Sequence, residues 1–436
     1  MEIRKSISSV AICISLFLCA LLSFSLRAQT LSYTYFNDFP SDFSPLRTQE
    51  AEVYSFSLLD QALSNSDFKL ISASNKEKEA PLVLLNVLRT AKNEQDYYWV
   101  SPLFAFDCND ELSCTPNAGS QPSPVALTYI AMKKNGVAPK IVDRLGELVG
   151  RYKVSEAFKL LVKPLKMSFE DEYPSVLERY GIISLAGGLI ANASDLWIIA
   201  DVVPLFVERA ERGGLKGIAA DLVKDILEDI ALSQPILSAP WERIAKESMA
   251  KSNVLVFSII RTDERDNLFH WITPISKNLH GLYGIDKPYF DSFDDVPVTY
   301  RVGALLEDYR YEVALDKGFK VKAYGSWGEL VDALMRNDVD LVFGSRGAVN
   351  FGCNPKRHKC ETITLTSKYN ISTAYLALSK KDTCVLVLEK LKLAAAGVKM
   401  SNKFNEQLSS WSDMVSQEYG IAHHTEHGVV HLWNPN

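Results

Sequence analysis

VLVFSIIRTDERDNLFHWITPI, residues 254–275, repeats the pattern of LVLLNVLRTAKNEQDYYWVSPL, residues 82–103. Laid over each other without a gap, both run from an apolar segment through Arg-Thr and a variable stretch. Both then reach an aromatic residue, a Trp, an aliphatic residue, a Ser or Thr, and a Pro. Arg89, Trp99 and Pro102 fall at the same spacing as Arg261, Trp271 and Pro274. A long-offset repeat of this kind predicts two related modules. The alternative is an unrelated first domain with a chance match.

The far ends agree as well, because TYIAMKK (128–134) matches TAYLALSKK (373–381). Between Pro102 and Tyr129 lie 26 residues, and between Pro274 and Tyr375 lie 100, a difference of 74. Within the longer interval, TYRVGALLE, FKVKAYG and DVDLVFGS read as strands, with DYRYEVALDKG and SWGELVDALMRN as helices between them. That is one complete α/β lobe. The first module therefore reads as a single lobe, closed by AFDCNDELSCTPNAGSQPSPVAL, and the second as the same lobe plus another.

Around this insertion the second module alternates strands and helices. DLWIIADVVPLFV (195–207) reads as a buried strand. GLKGIAADLVKDILEDI (214–230) places Ile218, Leu222, Val223, Ile226, Leu227 and Ile230 at helical spacing behind Gly217. Such alternation predicts parallel, doubly wound sheets.

The 436-residue chain has room for two or three domains. Residues 1–28 read as a secretory signal: Arg4 and Lys5, an apolar run from Val10 to Leu22, and Ala28 at a cleavage point. An uncleaved anchor is the alternative. The formal charge of −6 becomes −8 without Arg4, Lys5, Arg27 and Glu2, which excludes an electrostatic reason to bind nucleic acid. In an exported protein, Cys108 with Cys114 and Cys353 with Cys360 read as two local disulfides. Cys384 is left over as a buried thiol. The sequence contains no GxSxG, P-loop or CxxC pattern. No cofactor is expected.

GLKGIAADLVKDI, RTDERDNLFHW, RVGALLEDYRYEVALDKG, DVDLVFG and TAYLALSKK, in that order, resemble the family 3 extracellular solute-binding proteins. These are periplasmic receptors of ABC importers of the polar-amino-acid type. The resemblance covers about residues 195–415. It implies two α/β lobes (type II) joined by two crossing segments, PISKNLHGLYG (274–284) and TAYLALSKK, with a ligand clamped between them. The expected organisation is a signal peptide (1–28), a truncated lobe (29–170), a linker (171–190), lobe 1 (191–280 and 371–415), lobe 2 (281–370) and a His-containing tail (416–436).

In this family an Arg of the TxER element grips a ligand carboxylate. That position is Arg265 here, and a planar fork suits the task; a surface ion pair is the bland alternative. The aligned residue in the first module is Asn93, which argues that this copy has lost the ligand. Arg89 and Arg261 occur in both copies and are expected to tie strand ends to carboxylates. The family's lobe-2 Asp for the ligand ammonium falls on Ser345, followed by Arg346, so a ligand with another anionic group is implied. Asp201 is a further polar contact, and Trp271 is either cleft or hinge packing. His423 and His427 would share a helix face and could hold Zn²⁺ or Cu²⁺, although a solvated terminus is the commoner outcome.

The implied function is capture of a small, anionic polar solute by hinge closure, with an importer permease or membrane receptor as partner. A protein-binding receptor built on the same scaffold is the second reading. A lyase using Glu307 or Asp308 as base is the third.

Overall fold

The computed structural model describes residues 29–36, 39, 45–73, 80–90, 92–108, 114–115, 125–135, 137–170, 173, 176–185, 193–203, 205–211, 213–306, 308–354 and 356–433. The expected signal peptide lies outside them. The chain divides into two compact units, Met1–Leu189 and Ile190–Asn436. Among the described residues no helix is long and apolar enough to cross a membrane.

The first unit runs β1 (Gln29–Tyr35), α1 (Pro45–Leu63), β2 (Phe68–Ser72), β3 (Leu82–Leu88), β4 (Tyr97–Cys108), β5 (Cys114–Thr115) and β6 (Val125–Lys133). It continues with α2 (Pro139–Lys153), α3 (Glu156–Glu170), β7 (Leu177–Arg179) and β8 (Ile182–Ser184). Its sheet has the order β2-β1-β3-β6-β4-β8-β7. The segment expected to be a linker thus carries a hairpin whose β8 joins β4 in parallel. Ile182 and Ile183 are fully buried there, and this burial fastens the segment to the sheet. The side chains of Cys108 and Cys114 lie outside the described residues, although the backbone sets the two positions opposite each other.

The second unit begins with β9 (Trp197–Ala200), β10 (Glu208–Arg209), β11 (Leu215–Lys216), α4 (Ile218–Asp229), β12 (Ile236–Ser238), α5 (Trp241–Ala250), β13 (Val254–Ile260) and β14 (Phe269–Ile285). Lobe 2 adds β15 (Arg301–Leu305), α6 (Tyr309–Asp316), β16 (Lys320–Tyr324), α7 (Trp327–Met335), β17 (Leu341–Ser345) and α8 (Arg346–Gly352). The chain returns through β18 (Ile363–Ser379) to α9 (Val385–Met400), α10 (Asn402–Met414), β19 (His424–Glu426) and β20 (Val429–Leu432).

One sheet path joins the lobes, β12-β9-β13-β18-β14-β17-β15-β16. Strands β12, β9 and β13 run parallel in lobe 1, and β16, β15 and β17 run parallel in lobe 2. Between them β14 and β18 pair antiparallel over their full length and are the two crossings. Strand alternation gives lobe 2 two apolar layers: Leu341 and Phe343 face one, Val342 the other. The apolar stripe of α4 is buried as its spacing predicts, and the helix starts at Gly217, whose φ of 107° favours glycine.

The repeat is visible in three dimensions. The order β2-β1-β3-β6-β4 has the same strand directions as β12-β9-β13-β18-β14. In both, one register shift follows the Trp: Trp99 pairs with Ala131 and Pro102 with Tyr129, as Trp271 pairs with Ala377 and Pro274 with Tyr375. Lys153 donates to the Pro102 carbonyl, and Lys399 donates to that of Pro274.

Cys353 and Cys360 form a disulfide with Cα atoms 5.9 Å apart. Closing this short loop restricts the unfolded chain by about 2.5 kcal/mol on a chain-entropy account. A Cys353→Ser/Cys360→Ser variant should lose about that much stability in urea unfolding; no change would mean that the crosslink constrains nothing. Cys384 is not buried but exposed, at the N-terminal cap of α9. The apolar run that suggested burial starts only at the next residue.

Candidate functional site

A cavity of about 400 Å³ opens between the lobes of the second unit. Its walls follow the carboxyl ends of the parallel strands. Asp201 follows β9, Ser258–Ile260 end β13, Leu306 and Asp308 follow β15, Gly325 and Ser326 follow β16, and Ser345 ends β17. Open α/β sheets place ligand crevices at these ends. Ser276, Asn278 and His280 line it from the crossing strand β14.

Arg265 is positioned by a small framework. Strand β13 ends at Ile260, and the Arg261 amide bonds the Thr373 carbonyl of β18. The Arg261 side chain pairs with Asp266, Nε to Oδ1 at 2.7 Å, and Trp271 Nε1 donates to the same oxygen at 2.7 Å. The Arg261 guanidinium lies 5.5 Å from the Trp271 ring centre and 5.9 Å from that of Tyr375. This box pins both ends of the turn 262–268. From that turn Arg265 reaches the cavity, with Nη1 donating to the Ile260 carbonyl at 2.8 Å. Burial lowers its pKa and Asp308 pulls the other way. A guanidinium keeps its charge regardless.

The first unit keeps the arginine–carboxylate pair and its aromatic neighbours, lacks the tryptophan hydrogen bond (Trp99 Nε1 is buried without a partner), and loses the fork. Arg89 pairs with Glu94 at 2.6 Å and lies 5.6 Å from the ring centres of both Trp99 and Tyr129. The expected carboxylate partners of Arg89 and Arg261 are therefore present in both units. At the Arg265 position, Asn93 Nδ2 donates to the Leu88 carbonyl at 2.8 Å. This is the equivalent of the Ile260 carbonyl, five residues upstream in both cases. Asn93 preserves the turn without carrying a charge.

Of the other expected site residues, Asp201 and Ser345 line the same cavity as Arg265. The Asp201 carboxylate accepts from the Val202 amide at 2.7 Å. The Ser345 hydroxyl caps α8 by accepting from the Ala348 amide at 3.3 Å. Trp271 does not line the cavity, because the Arg261 box holds it. Nor does Arg346: its Nη1 donates to the Ile363 carbonyl at 2.6 Å and its guanidinium sits over Tyr283. His423 and His427 do not share a helix. His423 has both ring nitrogens engaged, with Ser412 and the Ile421 carbonyl, and His427 sits in the β19–β20 turn at φ 53°. Among the described residues no group of three or more His, Cys, Asp or Glu could hold a metal ion.

Where it is described, through residue 433, the tail is paired into the sheet rather than solvated. Strand β20 adds in parallel to the middle of crossing strand β14, pairing Val430 with Ser276 and Leu432 with Asn278. Val429, Val430, His431 and Leu432 are buried, and Leu432 reaches the cavity. Burial and the nearby Lys277 push the His431 pKa down to about 4.

Sequence reading did not single out His280, Tyr309 and Arg310. Arg310 is 7% exposed, and its Nε and Nη2 each bond Asp308 at 2.6 Å. Tyr309 Oη contacts His280 Nδ1 at 2.6 Å and Ser372 Oγ at 3.1 Å. Arg310 Nη1 also faces His280 Nδ1, at 3.4 Å. Arginine only donates, so Nδ1 accepts and Nε2 carries the hydrogen. Burial, helped by the Arg310 charge, pushes the His280 pKa down to about 3 and keeps the ring neutral. The available signal was DYR at a helix start: an N-capping Asp followed within one turn by an Arg able to fold back on it.

No protein-family model matches the sequence, and no curated protein matches it. Among solved structures, it is similar to a mutant of ArgBP from T. maritima, at 16% identity and a TM-score of 0.42, over 50% of this chain and 95% of that one. It is also similar to a histidine kinase sensor domain with similarity to periplasmic binding proteins, at 11% identity and 0.44, over 50% and 96%. A third is the GluR0 ligand binding core in complex with L-glutamate, at 14% identity and 0.41, over 50% and 99%. The second unit has two lobes, each with parallel strands, that share two antiparallel crossing strands.

Proposed function

We propose that the second unit captures a small solute between its lobes, with Arg265 holding an anionic group and the lobes closing about β14 and β18. The supporting observation is the joint placement of Arg265, Asp201 and Ser345 in one interlobe cavity. Two extended connections permit hinge closure, and interdomain clefts are common sites of small-molecule recognition. The N-terminal caps of α6, α7 and α8 (Asp308, Ser326 and Ser345) all line the lobe-2 wall, where each cap side chain accepts from a backbone amide of its own helix. Binding rather than turnover is favoured because both oxygens of Asp308 already accept from Arg310. Glu307 lies outside the described residues. Export through residues 1–28 and delivery to an importer permease or membrane receptor belong to this reading. Asn93 favours a different role for the first unit, as a surface for another protein.

Thermal unfolding of the full chain against a panel of small carboxylates should find a stabiliser. Arg265→Ala should weaken its binding by about 100-fold, the loss of a charge-assisted fork. Unchanged binding in that variant sinks the assignment.

A further inference from the structure

We infer that the solute is a small carboxylate whose other end is uncharged and apolar or aromatic, received by the lobe-2 wall at Leu306, Trp327 and Phe351. The inference rests on Arg265 as the anchor and adds what the opposite wall selects.

Leu306 and Phe351 line the cavity and are nevertheless 60% and 45% exposed. Trp327 and Leu305, partly buried, line the same cavity from lobe 2, whereas Arg265 lines it from lobe 1. Large apolar side chains facing a cleft gain from being covered, and a ligand group of matching character covers them.

The charges of this wall are already matched internally. Among the described lobe-2 residues of the cavity, Asp308 is the one acid and Arg310 the one base. They hold each other through two 2.6 Å bonds, and Arg310 also stands 5.2 Å from the Trp327 ring centre. A cationic ligand tail would need a carboxylate that is already satisfied. A second anionic group would compete with Asp308 for Arg310. Either tail would have to leave water for a wall whose described charged residues, Asp308 and Arg310, already hold each other, and this counts against binding. An apolar tail loses nothing there.

The test is a titration of the full-length protein with 3-phenylpropanoate, phenylalanine, leucine, arginine, glutamate and succinate, repeated on Arg265→Ala. Each apolar-tailed carboxylate is paired with a charged one, and phenylpropanoate against phenylalanine separates any ammonium requirement. The expected result is at least tenfold tighter binding of an apolar-tailed member than of arginine, glutamate or succinate. Phe351→Ala and Leu306→Ala should each weaken it about tenfold. Leu160→Ala, at a 73% exposed site in the first unit, should leave it unchanged. Tighter, Arg265-dependent binding of arginine, glutamate or succinate overturns the apolar class while leaving the anchor standing. Binding of any member that survives Arg265→Ala, or none by the whole panel, overturns the anchor and this inference with it.

Discussion

Arg310→Ala should cost the second unit about 3–5 kcal/mol, the usual penalty for removing one partner of a buried ion pair. The substitution strands Asp308, whose side chain is 20% exposed, without the cation that holds both its oxygens. Burial by itself disfavours the charged carboxyl. The Arg310 charge and hydrogen bonds overcome that and hold its pKa below the usual carboxylate range. The Arg310 amide still caps onto Asp308 at 2.9 Å, so the helix start survives while the charge compensation does not. Because the folded-state pKa is depressed, the stabilisation is present above the unfolded value of about 3.9 and fades as pH falls below it. Wild type should therefore lose its advantage over Asp308→Asn/Arg310→Ala on acidification. At neutral pH that double variant should recover much of the single variant's loss, because no unpaired charge remains. Guanidinium chloride unfolding followed by tryptophan fluorescence reads this unit, since of 7 tryptophans only Trp99 lies in the first. A single variant within 1 kcal/mol of wild type would show that the pair contributes nothing beyond its geometry.

The architecture was legible where a local pattern sets it. The Arg-Thr…Trp-x-x-Pro repeat marks the turn that presents Arg265 and the bulge where β14 leaves lobe 1. The 74-residue difference between the copies marks an inserted lobe. The stripe of α4 and the glycine before it define a helix with one buried face. What stayed hidden depends on which way a side chain turns. Arg346 sits next to Ser345, yet one lines the cavity and the other faces β18, because the helix start rotates successive residues to different sides. His280 and Tyr309 are 29 positions apart and meet only because lobe 2 folds α6 back onto the crossing strand. The tail suggested helical spacing to the eye, but Gly428 at φ 70° turns it into a hairpin whose apolar residues find an open strand edge.

Gly281→Ala should be the second severe substitution, at about 3 kcal/mol, the upper end of overpacking costs. The register of β14 against β18 steps from His280 opposite Asn370 to Gly281 opposite Lys368, leaving Tyr369 as the extra residue of a bulge. A methyl group at Gly281 would stand 2.3 Å from the Ser367 carbonyl oxygen and 2.8 Å from Leu365 Cδ1. The leucine can rotate away. The carbonyl cannot, because it belongs to the strand that forms the other half of the hinge. Relief therefore requires the crossing strands to separate at the point where His280 and Ser372 meet Tyr309. The damage should then appear twice: as a lower unfolding midpoint, and as weaker binding of any solute that needs Arg265, since the lobes would swing about a displaced axis. Gly328→Ala is the control. Its methyl group would meet nothing nearer than 3.9 Å within α7, where alanine gains up to about 1 kcal/mol of helix propensity. If Gly281→Ala matched this control in both stability and affinity, the crossing strands would not be the rigid pivot on which closure depends.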